Sequence, residues 1–225
     1  MNAFDLSPTL AFLEDLAQNN HKAWFDAHRD DYEAEKARFR QFTQALIEGV
    51  AVFEPAVAGV EVKQSVFRIN RDIRFSKDKR PYKINFACSI SPGGRHSIYA
   101  NYYFHLQPHD QSFVGGGLYM PPSPVLRRIR QEIDYNAKDF LAIVQDRDFQ
   151  NTFGKLMGER LQTAPKGYDR DHPMIDYLRL KSYTVIRTIP DNQMRSGDVG
   201  HQILSYFKQM KAFNQFLSQA VDEPQ

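Results

Sequence analysis

The side chains best suited to chemistry cluster between Arg68 and Lys83. The stretch reads Arg68-Ile69-Asn70-Arg71-Asp72-Ile73-Arg74-Phe75-Ser76-Lys77-Asp78-Lys79-Arg80-Pro81-Tyr82-Lys83. Seven of these sixteen residues are basic and two acidic, so the stretch carries +5 in a chain whose formal net charge is +2. Arginine forks match carboxylate and phosphate, and several close together need an anion or several acids to relieve their repulsion. The pattern therefore points to an anion site, with phosphate the best fit. The competing reading is a solvated loop in which Asp72 and Asp78 pair internally with the arginines. Asp72, flanked by Arg71 and Arg74, reads as a salt-bridge orienter, with general base as a second role.

Other residues extend the candidate site. Tyr103 and His105 alternate on one strand and so share a face, which makes a proton-transfer pair possible against a plain rim histidine. Gly115-Gly116-Gly117 invites close backbone approach, and Gly116 is a candidate ligand contact; a bulge or tight packing contact is the alternative. Arg130 lies beside the apolar stripe of a helix, able to reach inward or to snorkel at its rim. The loop from Lys166 to His172 is polar and could cap a site. No H-E-x-x-H, nucleophile elbow, P-loop or dinucleotide fingerprint occurs, so no metal or cofactor is expected. Cys88 is the only cysteine and sits in an apolar alternating run, as a buried inert thiol would.

These residues need elements to hold them. Ser7-Pro8 starts a helix, with Ser7 as its cap. Trp24, Phe25, Tyr32, Phe39, Phe42, Leu46 and Val50 recur at helical steps, as one bent helix or two, with Trp24 as a core anchor. From Gly59 the period changes to two, which predicts a strand running through Val60 and Val66 into the basic stretch. Further strands are expected over 83–91, 97–106 and 112–119, joined by short turns as an antiparallel meander. Helices follow over 122–156, then a fifth strand over 181–188 and a last helix over 198–220. Strands and helices are segregated, which predicts an α+β fold. Its mainly antiparallel sheet would have four or five strands, with helices on one face and helical N- and C-terminal regions. The whole of 1–225 reads as one domain, with helices over 7–53 and the sheet core over 59–119.

Composition sets the outer limits. Apolar residues make up 42% and charged residues 25%, and aromatics reach 13%, with 17 Phe and 11 Tyr. That is a globular composition with a ring-rich core. No apolar run approaches the ~18 residues that would span a bilayer. The N-terminal residues lack the basic and apolar regions of a signal peptide. A cytoplasmic protein without a membrane partner is the simplest reading. The small net charge argues against a general nucleic-acid coat protein.

The basic stretch also resembles a known family. Arg68-x-x-Arg71-Asp72-x-Arg74-Phe75-x-x-x-Lys79-x-Pro81-Tyr82 is similar to the signature of the uncharacterised family called domain of unknown function 2461. Phe113 to Tyr119, the Leu126–Ile133 helix with Arg130, and Pro165-Lys166-Gly167-Tyr168 look like the same family. The likeness runs over about 5–220. It implies a single-domain protein of bacterial or fungal type and brings no catalytic residue or cofactor. It favours a functional site at the basic stretch, because packing alone does not call for Arg, Asp, Lys and Tyr in one loop.

The sequence thus leads to a site for a small anionic, phosphorylated ligand lined by Arg68, Arg71, Arg74, Lys79, Tyr82, Lys83, Tyr103, Gly116 and Arg130. Asp72 or His105 would carry protons if a reaction occurs. Nucleic acid on the same basic and aromatic surface is one alternative, and an acidic protein partner another. Whether the arginines converge on a pocket or splay into solvent separates these readings.

Overall fold

The computed structural model describes residues 4–222. Helix α1 (Ser7–Gln18) opens with Pro8 in its first turn, but Leu6 rather than Ser7 occupies the cap position. Asp5 accepts the Ser7 N–H instead, at 2.9 Å. The long helical pattern that follows is two helices, α2 (Lys22–Ala27) and α3 (Arg29–Ala51), which meet at His28. The gap in the apolar stripe of α3 is Glu35, which is buried; Thr9 of α1 donates to its carboxylate at 2.7 Å and Arg38 at 3.1 Å. A buried charge needs such partners.

The strand expected over 60–69 does not form. Val62–Ser65 is a helical turn, α4, closed by a capping box between Glu61 and Gln64. The reciprocal bonds of that box satisfy the N-terminal donors of the turn and outweigh the local alternation. Only isolated bridges remain, Val66 to Cys88 and Asn70 to Tyr82.

Four strands make one antiparallel sheet: β1 (Phe86–Ile90), β2 (Asn101–Leu106), β3 (Ser112–Leu118) and β4 (Tyr183–Ile189). Their spatial order is β1-β2-β3-β4. Between β3 and β4 come α5 (Ser123–Tyr135), α6 (Ala137–Val144), α7 (Arg147–Phe153) and α8 (Ile175–Leu178). After β4 come α9 (Asp191–Met194) and α10 (Val199–Asp222). The chain is therefore α+β, as its segregated periods predict.

The two faces of the sheet differ. Strand β2 alternates: Tyr102, Phe104 and Leu106 are buried, and Tyr103 and His105 are half-buried. Phe104 packs on Phe39 and Phe42 of α3, and Tyr102 on Phe207 of α10. Cys88, opposite Phe104, is fully buried on this same face, and burial pushes its thiol up to about 12. Gly116 also belongs to the helix-packed face. A Cβ there would lie 2.6 Å from Met210 Sδ, so glycine lets α10 approach the sheet. This corrects the expectation of a ligand contact at Gly116. The opposite face carries Tyr103, His105 and Phe113, with Phe67 leaning on Tyr103 at 6.1 Å.

Candidate functional site

The basic stretch folds as a finger that leaves the outer edge of β1. Lys83 N–H donates to Ile69 O at 2.8 Å and Arg71 N–H to Pro81 O at 2.9 Å, so the two sides pair like a short hairpin. Tyr82 anchors the base. Its ring stacks on Phe25 at 3.9 Å, and the Asn20 amide both donates to its carbonyl at 3.0 Å and accepts from its N–H at 3.1 Å. At 7% exposure Tyr82 is a core residue. The expectation that Tyr82 lines a ligand site meets a buried ring instead: an aromatic flanked by charges found a ring to stack on.

Beyond that base the charges pair with each other. Arg74 grips Asp72 through Nε at 2.9 Å and Nη2 at 2.7 Å. Arg80 grips Asp78 at 2.7 Å, and Arg71 reaches the same carboxylate at 2.8 Å while donating to Arg80 O at 2.9 Å. Lys79 donates to Ile73 O at 3.1 Å. Hydrogen bonds from Arg74 hold the Asp72 carboxyl below its usual range, and Arg80 holds Asp78 far below it. A carboxylate so held is a poor base. Arg74, with its side chain 76% exposed, points to solvent, and Phe75 beside it is 95% exposed. Of the two arrangements left open by the sequence, Arg71 and Arg74 take the one in which they pair with the finger's own aspartates, apart from the cleft that Arg68 lines.

Arg68 goes its own way. It lines a cleft of about 260 Å³ with Lys36 and Arg40 of α3 and with Arg95. Val66 and the rings of Tyr32, Phe39, Phe67 and Phe86 complete the lining, and among the described residues no carboxylate contributes to it. Lys36 pairs outward with Glu33 at 2.9 Å, and Arg95 donates to Lys63 O at 2.8 Å. The side chains of Arg40 and Arg68 make no hydrogen bond or ion pair with the described residues. Larger hollows exist, but the one of about 570 Å³ beside it mixes Arg40 and Lys63 with Glu48 and Glu61. The smaller cleft is singled out by its uniform charge.

A family model described as conserved hypothetical protein (DUF2461) matches residues 8–216. The chain belongs to the DUF2461 family. No curated protein and no solved structure matches it. The matched span of this DUF2461 member contains the finger, the cleft and a third group on the open sheet face.

That third group holds Tyr103, His105 and Lys83. Tyr103 OH lies 3.2 Å from His105 Nδ1, and His105 Nε2 lies 2.9 Å from Gln107 Oε1. An amide oxygen only accepts, so Nε2 carries the proton and Nδ1 accepts from the phenol. His105 also stacks on Phe113 at 4.7 Å. Burial pushes Tyr103 up to about 12 and lowers His105, and the Lys83 charge lowers His105 further. Lys83 sits 5.7 Å over the Phe67 ring.

Arg130 is elsewhere. It donates to Leu180 O at 3.1 Å, just ahead of β4, the edge strand opposite the finger. The polar loop beyond Lys166 docks on the same helix: His172 Nε2 donates to Asp134 at 3.0 Å, and its Nδ1 accepts Met174 N–H at 3.1 Å. Arg130 is thus not part of the finger's surroundings. Conversely, Lys36, Arg40, Arg95 and Phe67 were not among the expected site residues. Lys36 and Arg40 are spaced four apart on α3, which puts them on one helix face, but nothing local says that Arg68 meets that face.

Proposed function

We propose that the protein binds a small anionic, phosphorylated ligand in the cleft beside Arg68. The observation that carries this reading is the lining: among the described residues it holds four cations and no carboxylate, and two of its guanidinium groups make no hydrogen bond or ion pair, with Asp72 only feeling the Arg68 charge from farther off. Like charges gathered without acids repel, and an anion that bridges them relieves the repulsion. The cleft volume of about 260 Å³ suits a small molecule or one end of a larger one. Calorimetric titration with inorganic phosphate and phosphorylated metabolites tests it. Binding is expected to weaken in Arg68→Ala and Arg40→Ala and to persist in Arg74→Ala, whose guanidinium is engaged by Asp72. Equal binding in all three variants would remove the cleft from consideration.

A second reading rests on the finger tip. The Arg74 guanidinium sits 5.9 Å from the Phe75 ring centroid, and the ring is otherwise in solvent. Such a platform can stack an unpaired base, with Lys77 and Arg80 near phosphates. Retention of a single-stranded oligonucleotide at low salt, lost in Phe75→Ala, supports it; no retention rejects it.

A further inference from the structure

The open sheet face holds an amine that the anion cleft does not use. Lys83 is half-buried. Its ammonium makes no hydrogen bond or ion pair with the described residues and rests over the Phe67 ring. Lys36, Lys181 and Lys211 are half-buried too; Glu33 and Glu159 neutralise the first two, and Lys211 stands on α10, outside the lining of the cleft that holds Arg68. Lys83 has no acid, and the two charged or titratable neighbours that act on it or feel it are Arg68 and His105. Burial first and Arg68 second hold its affinity for a proton below that of an ordinary lysine; the Phe67 face is the one contact that favours the cation. A desolvated lysine beside another cation is the standard arrangement for an amine that must be neutral to act as a nucleophile. The Tyr103–His105 pair stands on the same face, linked to Lys83 through Phe67, which touches both Lys83 and Tyr103.

We propose that Lys83 is a nucleophilic amine that forms an imine with the carbonyl of a small oxo acid whose anionic end is held at Arg68. This rests on the anion-binding reading of the cleft and names the substrate class. The nitrogen lone pair forms the C–N bond while the carbonyl π pair moves onto oxygen. The two N–H protons of the neutral amine end on that oxygen, which leaves as water. Amine plus carbonyl gives imine plus water, with no oxidant or reductant. Tyr103, which keeps its phenol proton, and His105, whose Nδ1 accepts from it, form a relay suited to moving those protons.

Borohydride trapping tests the step. The full chain is treated with pyruvate and, separately, with neutral acetaldehyde, reduced, and mapped by peptide mass. Both probes are expected to label Lys83 several-fold faster than exposed Lys77 and Lys138 of the same molecule, with pyruvate the better at equal concentration. Lys83→Arg should lose that adduct and keep calorimetric binding of inorganic phosphate. Arg68→Ala should lose phosphate binding and the advantage of pyruvate, and should slow acetaldehyde labelling of Lys83 as its neighbouring cation goes, while burial keeps that labelling ahead of Lys77 and Lys138. Labelling of Lys83 no faster than Lys77 and Lys138 overturns the nucleophile. Preferential labelling by acetaldehyde alone, with no phosphate binding by the unmodified chain, overturns the oxo acid and the anion cleft together while upholding the reactive amine.

Discussion

His105 is held neutral from several sides. Desolvation opposes its charge, the Lys83 ammonium opposes it further, and only the Gln107 hydrogen bond favours it. Its proton affinity is therefore lower in the folded chain than in the unfolded one. The unfolded chain then takes up a proton at His105 first as pH falls through about 6.5. Stability attributable to this ring is present above that pH and is lost as pH drops toward the folded value. Urea denaturation between pH 7.5 and 5 should show this loss in the native chain and a flatter profile in His105→Asn. An identical slope in both would mean that the ring is not held neutral. Gly116 offers a residue-scale test of packing. Alanine there sets a methyl against Met210 Sδ, and overpacking of this kind costs about 1–3 kcal/mol. Pairing Gly116→Ala with Met210→Ala should cost less than the two single changes added together, because the second removes the clash created by the first.

At the scale of elements, the finger is held at its base and its tip is left to solvent. The Asn20 amide makes two hydrogen bonds to the Tyr82 backbone, across 62 residues of sequence. Asn20→Ala leaves both backbone groups without their partner, a loss of about 1–3 kcal/mol for a buried group and less at this half-buried site. Hydrogen exchange should quicken at Lys83 and Arg71, whose amides close the finger, and should be unchanged at Cys88 in β1. The same elements show what periodicity carries. Strands β1 to β3 fall within the predicted runs and β4 passes its run by one residue, at Ile189; the alternation matches one-face burial cleanly in β2, whereas β1 is buried throughout. The strand expected before the finger failed because Glu61 and Gln64, three residues apart, close a capping box that alternation does not register. The finger itself was legible as a charge excess. Its internal Arg–Asp pairing was one of two readings open from composition, and the structure takes that one for Asp72 and Asp78. Of the finger's arginines, Arg68 alone makes no ion pair with either aspartate, and its meeting with Lys36, Arg40 and Arg95 was not legible. That meeting depends on how α3 lies against β1, a tertiary fact with no local signal.

At the scale of the molecule, the cleft sets stability against binding. Four cations share a small space while the chain as a whole is nearly neutral, so the repulsion is local. It falls off over a Debye length of about 8 Å at physiological salt, comparable to the cleft itself. Removing one cation should therefore stabilise the unliganded fold slightly, by about 0.2–1 kcal/mol, the range measured for exposed charge pairs. Arg40 is the residue to remove, because its exposed side chain has no protein partner to lose. An anion that binds only the folded chain reverses the ranking. At one hundred times its dissociation constant it adds about 2.7 kcal/mol to the native protein. Arg40→Ala should thus unfold at higher urea than the native chain in chloride buffer and at lower urea in saturating phosphate. Matching the two buffers in ionic strength separates occupation of the cleft from screening, since screening alone raises both proteins and cannot exchange their order. A crossing of the two midpoints on changing chloride for phosphate is the expected result. Midpoints that keep the same order in both buffers would show that the cluster does not hold the anion.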